Sequence, residues 1–241
     1  GPLAYFERAH FVADAVSKVE RAKKTTFYDD FTTKADGALT AGTVSDSGHT
    51  YTVLGQIPWA ISGGRLTHTQ TDPVIAHSSY LGVNLGIESG DKVGYIWADY
   101  EVPSGADPQE SIVLIATATD FCADPAYEFA NAAAHCSFTD TAVRLDNLHA
   151  DHPGLTTTTI GRGLYTALTP GTYRVEIAID GDRAYMTSPD GMHWRTEISA
   201  NTDAYGGPWA TLQLYNQGTG TMKALKILRW GAELQTRSSR G

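Results

Sequence analysis

The sequence predicts an all-β fold, a two-sheet antiparallel sandwich of jelly-roll type preceded by a short N-terminal α-helix. Three observations carry this. Short β-branched and aromatic runs recur between Gly, Asp and Pro turn signals along most of the chain. The hydrophobic period is helical before about residue 25 and alternating after it. The chain's 241 residues, 41% of them hydrophobic, suffice to fill one sandwich core.

The N-terminal element comes first. Gly1-Pro2-Leu3 resembles the scar left when an expression tag is cleaved, which suggests a piece of a longer protein. Tyr5, Ala9, Val12, Val16 and Val19 then fall at alternating spacings of four and three, with charged residues between them. This is a heptad pattern. It suits either an amphipathic helix docked on its own domain or a seam between chains, and β-branched residues at both core positions favour a trimer. A seam is expected here, because so short a helix is marginal in water unless it is packed. The expected organisation is a helix or stalk end over 1–24, a sandwich over 25–232 and a tail over 233–241.

Strands are predicted over 50–54, 59–62, 65–70, 92–102, 111–119, 142–147, 173–179, 183–187, 192–198, 211–215 and 222–230. The clearest holds Tyr173, Val175, Ile177 and Ile179 on one face, with Arg174 and Glu176 on the other. Asp180-Gly181-Asp182 and Ser188-Pro189-Asp190-Gly191 then supply two turns, making a meander. The segment 124–134 reads either as a short helix capped by Asp124 with Pro125 in its first turn, or as a strand edge.

The formal net charge of −9 makes nucleic acid an unsuitable partner. No apolar run approaches the about 18 residues that a membrane-crossing helix needs, so no membrane insertion is expected. The two cysteines, Cys122 and Cys136, cannot form a four-thiolate zinc site. They either pair, closing a loop of about 15 residues, or stand as two small buried thiols.

The run Asp29-Asp30-Phe31 with Ala35-Asp36-Gly37-x-Leu39-Thr40, then Gly48-x-Thr50-Tyr51-x-Val53 and Trp59-x-Ile61-x-Gly63-Gly64-x-Leu66, resembles the first strands of concanavalin A-like lectin/glucanase (laminin-G-like) jelly rolls. The resemblance is to the form found in tail proteins of phages that infect actinobacteria. Gly171-Thr172-Tyr173, Ile179 to Asp182 and Ser188-Pro189-Asp190-Gly191-x-x-Trp194 are similar to the same family's central hairpins, and 222–230 to its closing strand. Most of 27–230 is covered. The resemblance implies that Asp29, Asp30 and Phe31 open the fold, the ring in the core and the carboxylates at the sheet edge. It also implies that a bound metal, where there is one, would be calcium rather than zinc, with hard oxygen ligands in loops such as Asp180/Asp182 and Asp120/Asp124. No complete calcium loop is legible.

Catalytic signals are weak. No paired Glu residues alternate along one strand as a retaining glycosidase requires. Tyr215-Asn216-Gln217 resembles part of a lyase motif whose companions are missing, and reads as a strand end. His149, Asp151 and His152 would begin a metal site, but a polar loop before Pro153-Gly154 is the better explanation, because the sequence places no matching Cys or His partner. No catalytic residue is assigned.

The expected function is non-catalytic adhesion: a receptor-binding module of a phage tail or fibre, carried on the outside of the virion. Its partners would be a bacterial surface polysaccharide or glycolipid, its own copies in a homotrimer, and the rest of the tail protein. Sugar binding needs aromatic faces beside amides and carboxylates. Tyr205 and Trp209 flank a Gly-Gly-Pro turn, with Asn201 and Asp203 before it, and Trp194 adds a third ring. The simpler role for Trp209 is the buried start of a strand. A polysaccharide-degrading enzyme of the same fold and a purely structural tail module are the competing classes.

Overall fold

A computed structural model of the chain describes residues 26–55, 57–68, 77–104, 110–123, 132–139, 142–146, 159–164, 169–181, 183–187, 193–199, 206–216 and 225–235. Two antiparallel sheets face each other. One has nine strands and runs β14 (His193–Ser199), β13 (Arg183–Thr187), β12 (Gly171–Asp180), β7 (Val93–Val102), β16 (Lys226–Leu234), β5 (Arg65–His68), β4 (Trp59–Ser62) and β2 (Gly37–Leu39), with β1 (Thr26–Asp29) also pairing with β16. The other has seven, in the order β11 (Thr159–Leu164), β10 (Ala142–Asp146), β9 (Ala132–Thr139), β8 (Glu110–Thr117), β15 (Trp209–Asn216), β6 (His77–Asn84) and β3 (Tyr51–Gly55). For β9, β10, β11 and β14 the description is of the backbone pairing.

Alternation builds the core. Val175, Ile177 and Ile179 of β12 and Ala98, Tyr100 and Val102 of β7 point inward from one sheet, against Leu212 and Leu214 of β15 and Ile112 and Leu114 of β8 from the other. The two sheets are also tied by hydrogen bonds inside this core. Trp59 Nε1 donates to the Tyr80 carbonyl at 2.9 Å, and Trp230 Nε1 donates to Tyr51 Oη at 3.1 Å. A buried indole N–H without an acceptor would be costly, so each bond fixes one sheet's position on the other.

The all-β sandwich and most predicted strands match. Strand β6 was not expected, because Ser79 occupies an inward position and Gly82 an outward one, which blurs the alternation. Strand β11 is interrupted by Gly161 and Gly163 in the same way. The closing strand lies four residues later than predicted and runs through Leu234, past the boundary drawn at 232, because Leu234 pairs with Val93 and Gln235 N donates to the Lys92 carbonyl. In the segment left open between helix and strand, β9 begins at Ala132. Residues 124–131, the N-terminal helix with its seam Tyr5, Ala9, Val12, Val16 and Val19, and the group His149, Asp151 and His152 lie outside the described residues.

The opening motif also departs from expectation. Phe27 and Phe31 are in the core as expected, but Asp29 is not at a sheet edge: its side chain is fully buried on the inward side of β1. Asp30 lies just beyond the strand, half-buried, with Oδ1 accepting from the Thr32 amide and hydroxyl. Phe31 carries a positive φ of 63°, which lets the chain reverse there.

Candidate functional site

The outward face of the seven-stranded sheet has two unlike parts. At its middle, Tyr80, Val113, Ile115, Phe121 and Cys122 form a second apolar cluster, with Leu54 against it. The loop 118–123 folds back to make this cover. Asp120 holds it down, its Oδ1 accepting from the Thr52 hydroxyl at 3.0 Å and the Cys122 amide at 2.9 Å. The loop comes so close that a Cβ on Gly82 would lie 2.6 Å from the Thr52 hydroxyl and 3.4 Å from the Asp120 carboxylate. Glycine is required there.

Cys122 is a free, buried thiol, so the pairing with Cys136 is not made in this structure. The backbone of Cys136 pairs with Leu114 of β8, and Cys122 belongs to the outward cluster. Burial pushes the Cys122 thiol up to about 12, so it stays protonated and unreactive.

At the end of the same face lies a polar row. Trp209 opens β15 and stands in register with Asn84 of β6 and Thr117 of β8. Partners in register share a face, so all three side chains belong to the outward side, one row beyond Thr211, Gly82 and Ile115. Trp209 is half-buried and Asn84 exposed. Asn84 Oδ1 accepts from the Gly86 amide at 2.7 Å, which fixes the amide group in orientation. The backbone beneath is rigid, since Pro208 and Gly207 carbonyls accept from Leu85 and Val93 amides at 2.9 and 2.8 Å.

Further along β15, Gln213 Nε2 donates to the Ser78 hydroxyl at 3.0 Å and to the Tyr80 hydroxyl at 3.1 Å. The buried hydroxyls of Thr211 and Ser111 have no hydrogen-bond partner. The face therefore sets the half-buried Trp209 ring and the exposed Asn84 amide in one row, with the Asp120 carboxylate over Gly82 in the next; the hydroxyls of Ser111 and Thr211 are buried. That set suits sugar hydroxyls and a pyranose face.

Of the residues expected at the site, Trp209 is the first residue of β15 and its side chain is half-buried. Tyr205, Asn201 and Asp203 lie outside the described residues. Trp194 is not beside Trp209: its backbone is in β14, the edge strand of the other sheet, opposite Met186. Asn84 and Asp120 were not expected at the site. Asn84 sits in the strand that the sequence hid, and Asp120 had been read as a calcium ligand together with Asp124. Among the described residues no group of three or more His, Cys, Asp or Glu is placed to hold a metal. Asp120 Oδ1 accepts from the Thr52 hydroxyl and the Cys122 amide, the backbone of Asp180 closes β12, and Asp124 and Asp182 lie outside the described residues.

No family model matches the sequence. No curated protein matches it either. Solved structures do match, and what they share with this chain is the fold, a two-sheet antiparallel jelly roll like that of lectins and a glucanase. Peanut lectin, solved with a 9mer peptide, is 11% identical, with 84% of this chain and 99% of that chain covered at a TM-score of 0.54. The lectin from Bauhinia forficata in complex with GalNAc is 12% identical over 85% of this chain and 100% of that one, also at 0.54. The endo-1,3-beta-glucanase from Streptomyces sioyaensis is 14% identical over 86% and 95%, at 0.53. The fold thus accommodates both binding proteins and enzymes, and function rests on the site.

Proposed function

We propose that this chain is a glycan-binding module that acts without catalysis, the receptor-facing part of a phage tail or fibre protein at the surface of its bacterial host. The observation that carries the binding reading is the Trp209 ring, half-exposed and in register with the exposed Asn84 amide, on the face that also holds Asp120. Stacking on the ring would hold a sugar, and the fixed polar groups would select its hydroxyls. The lectin folds found by comparison agree with this reading. The phage and virion assignment is supported by the motif resemblance over 27–230.

A glycosidase needs two carboxylates flanking one bond, about 5–9.5 Å apart. The described outward positions on the three central strands are Ser78, Tyr80, Gly82 and Asn84 on β6, Trp209, Thr211, Gln213 and Tyr215 on β15, and Ser111, Val113, Ile115 and Thr117 on β8. None is acidic, and Asp120 above Gly82 is one carboxylate rather than a flanking pair, which favours binding over cleavage at these positions. A glycan array probed with the full chain, alongside a reducing-end assay on cell-wall polysaccharide, tests the proposal. Retention of specific glycans without turnover is expected; turnover lost on a single substitution would sink it.

A further inference from the structure

The outward face of the nine-stranded sheet carries a different pattern, one that the glycan site does not use. One row crosses Tyr28 of β1, Gly231 of β16, Trp97 of β7 and Glu176 of β12, all Cα partners. Trp97 covers Gly231 so closely that a Cβ there would lie 2.7 Å from the indole. The Arg174 guanidinium sits 4.4 Å from the Trp97 ring centroid, and the Tyr28 ring lies 6.1 Å away at a tilt of 35°. Because the indole fills the space over a glycine, the face is level there.

The rows on either side carry opposite charge. On one side are Arg229 and Arg174, both bonded to Asp99: Arg174 Nε and Nη2 donate to Oδ1 and Oδ2 at 2.6 and 2.9 Å, and Arg229 Nε donates to Oδ2 at 2.5 Å. On the other are Glu233, which pairs with Tyr95, and Tyr95 itself, whose hydroxyl donates to Glu176. Arg229 and Glu233 are both exposed and lie two residues to either side of Gly231 on one strand. Each is about 7 Å from the central row along the strand.

We propose that this face is a self-association surface on which two copies of the chain stack sheet against sheet. The two-fold axis runs across the strands along the row Tyr28, Gly231, Trp97 and Glu176. That rotation exchanges the flanking rows, so Arg229 of each copy meets Glu233 of the other while the level aromatic centre packs on itself. Two sheets stacked in this way lie about 10 Å apart, within reach of both side chains. Trp, Tyr and Arg are the residues that most often carry such contacts. A polyanion fits less well, because the face sets two guanidiniums against the carboxylates of Asp99, Glu176 and Glu233 and offers no net positive field.

Charge reversal tests this in the full chain by sedimentation equilibrium. Arg229→Glu alone and Glu233→Arg alone each place like charges together and should raise the dissociation constant at least about tenfold, halving the mass at a fixed low concentration. The double variant Arg229→Glu/Glu233→Arg restores the pairing and should return the mass to that of the unaltered protein. Should Arg229→Glu disturb Asp99 and fail to fold, Glu233→Arg, at an exposed position, still reads the contact. Equal masses for the unaltered protein and both single variants would overturn the proposal. So would a double variant no better than the singles, or a glycan bound on this face and lost with Arg229→Glu while the mass is unchanged.

Discussion

Lys34 Nζ lies 2.7 Å from Oδ1 of Asp29, and the Asp29 side chain is wholly buried while Lys34 keeps 13% of its side-chain surface. The other oxygen of Asp29 accepts from Tyr51 Oη at 2.8 Å, and Tyr51 in turn accepts from Trp230 Nε1. A polar chain therefore runs from Lys34 through Asp29 across to Tyr51 of the opposite sheet and back to the indole of Trp230, the strand partner of Asp29. The fold divides the two adjacent carboxylates: Asp29 ties the two sheets through Tyr51 and Asp30 shapes the turn.

Burial raises the Asp29 carboxyl above its ordinary range, and the bonds from Lys34, Tyr51 and the Phe31 amide offset only part of this. Replacing Lys34 by Met leaves the buried charge uncompensated and should destabilise the fold at neutral pH by about 3 kcal/mol. The sign with pH follows. An acid whose folded value is raised stabilises the fold when protonated, and that contribution is lost as pH rises through the folded value. Urea melts of Lys34→Met should therefore show the deficit shrinking from pH 7.5 to pH 5. A deficit that grows on acidification would mean that Asp29 is not the group left unpaired.

The sandwich was legible in the sequence wherever alternation was clean, as at Val175, Ile177 and Ile179, since the pleat converts alternation directly into one buried face. It was not legible at β6. There Ser79 faces inward because its hydroxyl donates to the Ile57 carbonyl at 2.8 Å, a partner 22 residues away. Gly82 faces outward because the loop 118–123 needs its space, a fact that local sequence does not contain. Half of the candidate site was hidden for the same reason: Trp209 announced itself by its type, whereas Asn84 acquires its place only through pairing with a strand more than a hundred residues later in the chain.

A second pH dependence is expected at Asp99. Burial pushes its carboxyl up, but the hydrogen bonds from Arg174 and Arg229 more than offset this and hold it below the usual carboxylate range. Both arginines are about half exposed, so the bridge is worth only about 1–2 kcal/mol after solvent screening. A depressed value stabilises above the unfolded value, near pH 4, and is lost as pH falls through the folded one. Asp99→Asn should be less stable by that amount at pH 7 and equal to the unaltered protein well below pH 4. Denaturant melts across this window check it, and an Asp99→Asn curve parallel to the unaltered one throughout would count against the bridge.

The heptad residues give a prediction about assembly. If Val12, Val16 and Val19 form a seam between chains, replacing all three with Asp should lower the solution mass threefold, because short helices hold together only through shared apolar burial. Light scattering reads this separately from the twofold change expected at Arg229 and Glu233. An unchanged mass would assign the stripe to its own domain.

The glycan site gives the last prediction. Trp209 is half-buried, so Trp209→Ala removes less packing than truncating a core indole such as Trp230, which costs about 3–5 kcal/mol. Its loss should lower the melting temperature modestly, while removing the ring on which a sugar stacks should weaken glycan binding about tenfold or more. Asn84→Ala leaves the ring and should weaken binding through lost hydrogen bonds, with stability nearly unchanged because Asn84 is exposed. Titration calorimetry with the best array glycan, run beside thermal melts of both variants, separates binding from folding. Both variants binding normally would place the sugar elsewhere on the molecule. A Trp209→Ala that loses several kcal/mol of stability and little affinity would return the ring to a purely structural role.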